Sequence, residues 1–92
     1  MKIEVFGKKF KEDETVIRIN KKNIEKIPDL SRFQNLKVLD LSNNNISKIE
    51  GLEKLTGLEE LNLCQNNISK IENLATLTNL KNLLLCQNQI SV

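Results

Sequence analysis

The sequence predicts an α/β repeat solenoid, a short curved stack in which parallel strands line the concave face. The main observation is a 22-residue register, in which eight positions of one unit recur in the next: Leu36, Leu39, Leu41, Asn44, Ile46, Ile49, Leu52 and Leu55, then Leu58, Leu61, Leu63, Asn66, Ile68, Ile71, Leu74 and Leu77. The pattern gives about three and a half units in residues 14–92, the last one incomplete. A unit this short buries its apolar side only against its neighbours, so the units are predicted to stack.

Residues 1–13 are predicted to form an N-terminal β-hairpin cap. Met1–Phe6 alternates in strand fashion, and Gly7-Lys8 is a turn after which the chain returns antiparallel. Phe6 and Phe10 are the large apolar residues expected to cover the first unit. A solenoid otherwise exposes its core at its ends, and an atypical terminal unit is therefore expected there.

Each repeat is predicted to contain a short strand followed by turns. In Leu39-Asp40-Leu41 the apolar residues alternate with a polar one, the period of a strand with one buried face, and copies of this strand are expected to pair in parallel. From Ile46 onward the apolar residues are spaced by three, which suits 3₁₀ or irregular turns whose every third residue points inward. The convex side is therefore predicted to be 3₁₀ and irregular chain.

Polar residues at fixed places in the register predict two kinds of turn. Asparagines stand where each strand ends, and their amides offer donors and an acceptor to unpaired backbone groups, so a hydrogen-bonded ladder is predicted for Asn44, Asn66 and Asn88. Glycine, asparagine and aspartate tolerate positive φ, and left-handed backbone is therefore predicted in two further columns: Asp29, Gly51 and Asn73, then Asn35, Gly57 and Asn79.

The pattern LxxLxLxxNxI resembles the leucine-rich repeat, and the resemblance covers about residues 14–92. Units of 22 residues are similar to the short class found in a regulatory subunit of protein phosphatase 1 and in bacterial internalins. The segment 5–15 also resembles the lead-in before such repeats in bacterial and archaeal proteins, which implies an N-terminal cap.

Composition narrows the class of function. The net charge of +2 indicates neither nucleic acid nor a membrane as the partner. The lack of histidine removes His-based triads and His metal sites, and we expect no cofactor, no metal and no enzymatic activity. No apolar run approaches the ~18 residues of a membrane span, and the first residues are too charged to open a signal peptide. The chain is therefore predicted to be cytoplasmic or, if a leader was removed, secreted or on the cell surface.

The predicted function is a non-catalytic protein–protein interaction module that binds a protein partner on the concave sheet face. The module would act either alone or as a fragment of a larger scaffold or regulator. Outward positions at 22-residue steps supply the candidate partner-binding residues: Arg18, Val38, Asp40, Glu60, Asn62 and Leu84. Arg18 with Asp40, and Lys37 with Glu59, should lie on adjacent strands roughly 5 Å apart. Mutual pairing is the simpler explanation of these charges.

The alternative is a structural, self-associating unit that joins copies through an uncapped C-terminal edge. Residues 82–92 contain no charged side chain, and an apolar edge strand is a template for pairing with another chain. Leu83, Leu84 and Leu85 are the candidate edge residues, and a two-fold homodimer with antiparallel edge strands is the simplest assembly. Removal of further repeats from a longer protein would leave the same edge.

The two cysteines occupy equivalent places in consecutive units. Cys64 and Cys86 should have Cα atoms about one strand spacing apart, ~5 Å, which permits a disulfide. Duplication of a unit containing Leu-Cys-Gln-Asn explains both residues without any chemistry, and reduced thiols are the expectation for a cytosolic chain.

Overall fold

A computed structural model describes residues 2–91, so that Met1 of the predicted hairpin and Val92 of the predicted edge lie outside the described residues. Within this range the chain forms six strands: β1 Lys2–Val5, β2 Lys8–Lys11, β3 Val16–Arg18, β4 Val38–Asp40, β5 Glu60–Asn62 and β6 Asn82–Leu84. The first two form an antiparallel hairpin, and the other four form a parallel sheet in chain order. Residues 2–91 contain no helix, so the α component of the predicted α/β class is not seen.

The four parallel strands pair at one-unit steps. Leu39 is paired with Ile17 on one side and with Leu61 on the other, and Leu61 in turn with Leu83. The predicted 22-residue register is therefore the register of the sheet. Because side chains alternate across a strand, the central residue of each strand points to one face and its two neighbours to the other.

The core is a single column of leucine and isoleucine beneath the sheet. Ile17, Leu39 and Leu61 are fully buried, as are most apolar residues of the first three units. The fourth unit is different, because Leu83 and Ile90 only pack against the core and stay partly exposed. Each layer is covered by the next, and the fourth layer has no further layer within the described chain.

Opposite the sheet, the chain is built from consecutive tight turns. Phe33 N–H donates to Leu30 O at 3.0 Å, and Leu36 N–H donates to Phe33 O at 3.1 Å. The same pair of i to i+3 bonds recurs one and two units later, at Leu52, Leu55 and Leu58 and at Leu74, Leu77 and Leu80. The spacing of three therefore gives repeated single turns, without a continuous 3₁₀ helix. Every third residue is buried in the first two units, whereas Leu74 and Leu80 of the third are only partly buried.

The predicted asparagine ladder is confirmed. Asn66 Nδ2 donates to the carbonyls of Leu41 at 3.1 Å and Leu63 at 3.0 Å, and its Oδ1 accepts from Ile46 N–H at 3.0 Å. Asn44 and Asn88 make the equivalent bonds one unit before and after. Each side chain therefore connects the backbones of two neighbouring units.

The left-handed positions agree with the prediction only in part. Gly51 and Asn73 have φ of +81° and +62°, as predicted, whereas Asp29 does not have positive φ. Asp29 uses its carboxylate to accept from Ser31 N–H and Oγ, which makes the turn without a left-handed residue. The leucine that follows the turn is buried in both cases, since Leu30 after Asp29 and Leu52 after Gly51 are each 0% exposed.

The second predicted column, Asn35, Gly57 and Asn79, was wrong, because these residues lie inside the tight turns and do not have positive φ. A different column is left-handed, with φ between +54° and +59°: Lys21, Asn43, Gln65 and Gln87. It directly precedes the asparagine positions. The left-handed residue redirects the chain after each strand so that the following asparagine enters the core.

The hairpin also corrects one expectation. Its two-residue turn is Phe6-Gly7, with φ of +48° and +80°, the signs of a type I′ turn. Phe6 is consequently 45% exposed at the tip and does not cover the first unit, contrary to the prediction. Phe10 does so, because it is buried against the core with its ring centroid 6.2 Å from that of Phe33.

Candidate interaction surface on the sheet

The face of the parallel sheet that points away from the core carries two rows of side chains, which we call the open sheet face. The strand register aligns the rows across all four strands: Val16, Val38, Glu60 and Asn82, then Arg18, Asp40, Asn62 and Leu84. All six predicted partner-binding residues therefore lie together on one face. The apolar members at its two ends, Val16 and Leu84, are each 41% exposed.

Asp40 is the most highly connected side chain of this face. Its Oδ1 accepts from Ser42 N–H at 3.0 Å, Ser42 Oγ at 2.7 Å and Asn20 Nδ2 at 3.1 Å. Its Oδ2 accepts from the Arg18 guanidinium at 3.3 Å. Asp40 is only 8% exposed, so the predicted pairing of Arg18 with Asp40 is present within a wider network.

This network lowers the pKa of Asp40 below its ordinary value. Burial acts in the opposite direction, since desolvation disfavours the charged carboxylate. The hydrogen bonds from Ser42 N–H and Oγ, from Asn20 and from Arg18 outweigh it. The carboxylate therefore stays ionised near neutral pH and accepts from the half-exposed Arg18 side chain beside it.

A charged row borders the open sheet face at the start of the strands. Glu59 forms ion pairs with Lys37 Nζ and Lys81 Nζ, each at 3.8 Å, one from either neighbouring unit. The predicted pair of Lys37 and Glu59 is thus present with a third member. These side chains are 41% to 74% exposed, and such pairs typically contribute only ~0.2–1 kcal/mol each.

Glu60 and Asn62 lie at the centre of the face with unused polar groups. Glu60 forms no ion pair with any other residue in the range 2–91, and no hydrogen bond of its carboxylate is found there. Asn62 uses its Oδ1 to accept from Cys64 N–H at 3.0 Å, while its Nδ2 donates to none of the described residues. Both side chains are half-buried, so their positions are restricted while their polar atoms stay accessible.

Cys64 and Cys86 border the same face, just beyond β5 and β6. The structure joins them in a disulfide, with Cα atoms 4.6 Å apart. The expectation of reduced thiols is therefore corrected. Their place in the register, directly beside each other on adjacent strand ends, is the physical reason that a bridge forms.

Comparison with known families agrees with this architecture. The family model described as "Leucine Rich repeats (2 copies)" matches residues 15–54 and residues 34–76, which together are more than half of the chain. The chain belongs to the leucine-rich repeat family. No curated protein matches the chain significantly. Repeats of this family generally serve as non-catalytic modules for protein–protein interaction.

Two other kinds of site are absent from the described part of this leucine-rich repeat stack. Within residues 2–91, no three His, Cys, Asp or Glu side chains are grouped to hold a metal ion. In the same range, no helix is long and apolar enough to cross a membrane. A groove lined by residues outside the strands contains both lysines and glutamates, including Lys26, Lys48 and Glu50, beside asparagine and serine side chains.

The sequence did not indicate that Asn20 and Ser42 bind Asp40. Both belong to the column that ends in Cys64 and Cys86, immediately after the strands. A signal was present, since Asp40-Leu41-Ser42 places a hydroxyl two residues after a carboxylate, the spacing at which an aspartate accepts from the backbone and side chain of residue i+2. The Ser42 contact is local to one turn, whereas the Asn20 contact crosses from the neighbouring unit.

Proposed function

We propose that the chain is a non-catalytic protein-binding module, and that a protein partner docks on the open sheet face, which is the concave side of a curved stack. One observation carries the proposal. Glu60, Asn62 and Leu84 present a carboxylate, an amide and an apolar side chain that have no complete set of partners within the described chain.

Different parts of the face have different roles in this proposal. Arg18 and Asp40 neutralise each other and form a polar end, so Asp40 serves to position Arg18 and not to contact the partner directly. Val38 and Leu84 offer apolar contact area, and Glu60 with the Asn62 amide supplies polar groups between them. A partner segment with an apolar residue and a donor group such as lysine or arginine fits this arrangement.

The test is affinity capture from cells that express the chain, with three baits. The first bait is the wild-type chain, and the second is the double variant Val38→Glu/Leu84→Glu on the open sheet face. The third is the matched control Thr56→Glu/Thr78→Glu, whose residues are exposed, one unit apart and outside the sheet. Arg18 is left unchanged because its substitution would also disturb Asp40.

A partner bound on the open sheet face is expected with the wild-type and control baits, and recovery is expected to fall at least about tenfold with the face variant. The recovered protein is then purified and its Kd measured for the same three chains. Equal recovery by all three baits would exclude this face as the binding site.

A second candidate, self-association through the C-terminal edge, is favoured by the incomplete burial of the fourth unit. Leu83 and Leu85 are partly exposed, while their equivalents Leu61 and Leu63 are fully buried. Leu63 N–H donates across the sheet to Leu84 O at 2.8 Å, whereas Leu85 N–H has no such acceptor within residues 2–91. The hairpin covers the other end of the sheet, so we propose a closed two-fold dimer at this edge.

Light scattering over a range of concentrations tests this candidate on Leu84→Lys and on the control Val16→Lys. Leu84 and Val16 have the same exposed fraction, 41%, and stand on the two outermost strands. The expected result is a dimer for the wild-type and Val16→Lys chains and a monomer for Leu84→Lys. A wild-type chain that stays monomeric at high concentration would rule out the dimer. It would not affect the proposal of a protein-binding module.

A further inference from the structure

We propose that the Cys64–Cys86 disulfide is an exchange site for small thiols of the glutathione class. The attack falls on Cys86, and opening of the bridge loosens the fourth unit. The proposal does not depend on which protein binds the open sheet face.

The fold holds the two cysteines together independently of the bond between their sulfurs. Leu63 N–H donates to Leu84 O at 2.8 Å, and Gln65 N–H donates to Cys86 O at 2.9 Å. These two backbone bonds lie on either side of Cys64 and hold the Cα atoms of Cys64 and Cys86 4.6 Å apart. When the bridge is open, the thiols therefore stay at high effective concentration, which favours reversible closure.

The two sulfurs are not equivalent toward an attacking thiol. Cys86 is exposed, whereas Cys64 is half-buried. In addition, Cys86 N–H donates to Cys64 Sγ at 3.1 Å. A hydrogen bond of this kind stabilises a thiolate, and a more stable thiolate is the better leaving group. Access and leaving-group stability both direct the attack to Cys86.

The bridge is reduced in two successive exchange steps. A small thiolate forms a bond to Cys86 Sγ, the Cys64–Cys86 bond breaks, and its electron pair goes to Cys64 Sγ, which is left as a thiolate. A second small thiolate attacks the small-molecule sulfur of the mixed disulfide and releases Cys86 as a thiolate. Two small thiols are thereby oxidised to one disulfide, and the protein gains two electrons and, on protonation, two protons. The reverse sequence, with a small-molecule disulfide as oxidant, closes the bridge.

The bridge is placed beside the least buried unit of the stack. It joins residues 22 apart, just beyond β5 and β6. On β6 and the turn that follows, Leu83, Leu85 and Ile90 are only partly buried and no further strand pairs with them within residues 2–91. The disulfide is therefore the strongest single link between the third and fourth units. Its reduction is expected to loosen the fourth unit before the rest of the stack.

The first experiment identifies the attacked sulfur. The oxidised wild-type chain is treated with less than one equivalent of reduced glutathione, quenched in acid and mapped by peptide mass spectrometry. We expect the glutathionyl group on Cys86. An adduct mainly on Cys64, or a chain that retains two free thiols after equilibration with glutathione disulfide, would overturn the proposal.

The second experiment measures the effect on the fourth unit by hydrogen exchange, with the chain oxidised and reduced. Amides of residues 82–90 are expected to exchange at least about tenfold faster in the reduced chain, while those of β3 and β4 do not change. The double variant Cys64→Ser/Cys86→Ser is the control, and reductant should leave its exchange unaltered. Equal exchange in the oxidised and reduced wild-type chain would refute the structural half of the proposal.

Discussion

The ring of Phe10 meets the ring of Phe33 edge to face, with centroids 6.2 Å apart and planes at 85°. Phe10 belongs to the hairpin and Phe33 to the first repeat, and both are buried. Lys8 adds a second connection, because its Nζ donates to Arg18 O at 2.8 Å. Apolar and polar contacts thus both attach the hairpin to the first unit of the stack, and Val5 is buried in the same core.

Phe10→Ala is expected to destabilise the chain by about 3 kcal/mol, because it removes a buried aromatic ring and leaves a cavity above Phe33. Urea denaturation followed by circular dichroism measures the loss. The matched variant Phe6→Ala removes an exposed ring and should change the free energy of unfolding by less than about 0.5 kcal/mol. A similar loss in both variants would mean that Phe6 also packs on the stack.

Phe6→Asn is expected to stabilise the chain by roughly 0.5 kcal/mol. Phe6 has φ of +48° at the first central position of the hairpin turn, and Asn-Gly is the sequence that a type I′ turn favours. Thermal unfolding of Phe6→Asn against wild type checks this, with Lys9→Asn as a control outside the turn. A lower midpoint for Phe6→Asn would contradict the turn assignment.

Asn66→Ala is predicted to cost roughly 1–3 kcal/mol, since it leaves the Ile46 N–H and the carbonyls of Leu41 and Leu63 without their partner in a buried turn. Asn67→Ala should have a much smaller effect, because the Asn67 side chain is exposed. Denaturant midpoints of the two variants decide the matter. Comparable values would show that the ladder contributes little.

Gly51→Ala is predicted to destabilise by about 1 kcal/mol and Gly57→Ala to be neutral or slightly stabilising. Gly51 has φ of +81° with open space around the position of a Cβ, so the cost comes from backbone conformation alone. Gly57 does not have positive φ, and an added Cβ would make ordinary contacts at 3.7 Å and 3.9 Å. Equal effects in urea titrations would argue against the left-handed turn at Gly51.

Asp40→Asn is expected to reduce stability at neutral pH but not in acid. The folded-state pKa of Asp40 lies below its unfolded value of about 3.8, so the ionised carboxylate stabilises the fold above that pH. As the pH falls through the lower folded-state pKa, this contribution is lost. The difference between wild type and Asp40→Asn in urea midpoints should therefore be largest above about pH 5, shrink as the pH falls below 3.8, and vanish only below the folded-state pKa. A difference that is constant with pH would mean that the charge of Asp40 does not stabilise the fold.

The repeat register allowed most of the fold to be predicted. Leu39, Leu61 and Leu83 stand at one-unit steps, and such a period determines which strands pair and which side chains share a face. The asparagine ladder followed from the same register, because the amide of Asn66 has the donors and the acceptor that a buried turn needs. Periodic positions are predictable because every unit solves the same packing problem.

The remaining features depend on local geometry that residue type does not decide. Gly57 is inside a right-handed tight turn, while Gln65 is left-handed because the chain must redirect there. Phe6 is exposed because the turn begins one residue earlier than expected. The composition of the candidate face was predicted, but its internal partners were not, since the contacts of Asp40 with Asn20 and Ser42 depend on side-chain directions.

The unequal ends of the sheet make the stack a template that can be lengthened in one direction. At the β6 end, Leu85 N–H stands as Leu63 N–H does one unit earlier, so a further copy of the unit added in register would meet bonding partners already in place. At the β3 end, Lys8 Nζ of the hairpin already donates to Arg18 O, the carbonyl that an added strand would need. A protein engineer who wants a larger binding surface would therefore duplicate an internal unit toward β6, and each copy would add about 5 Å of face.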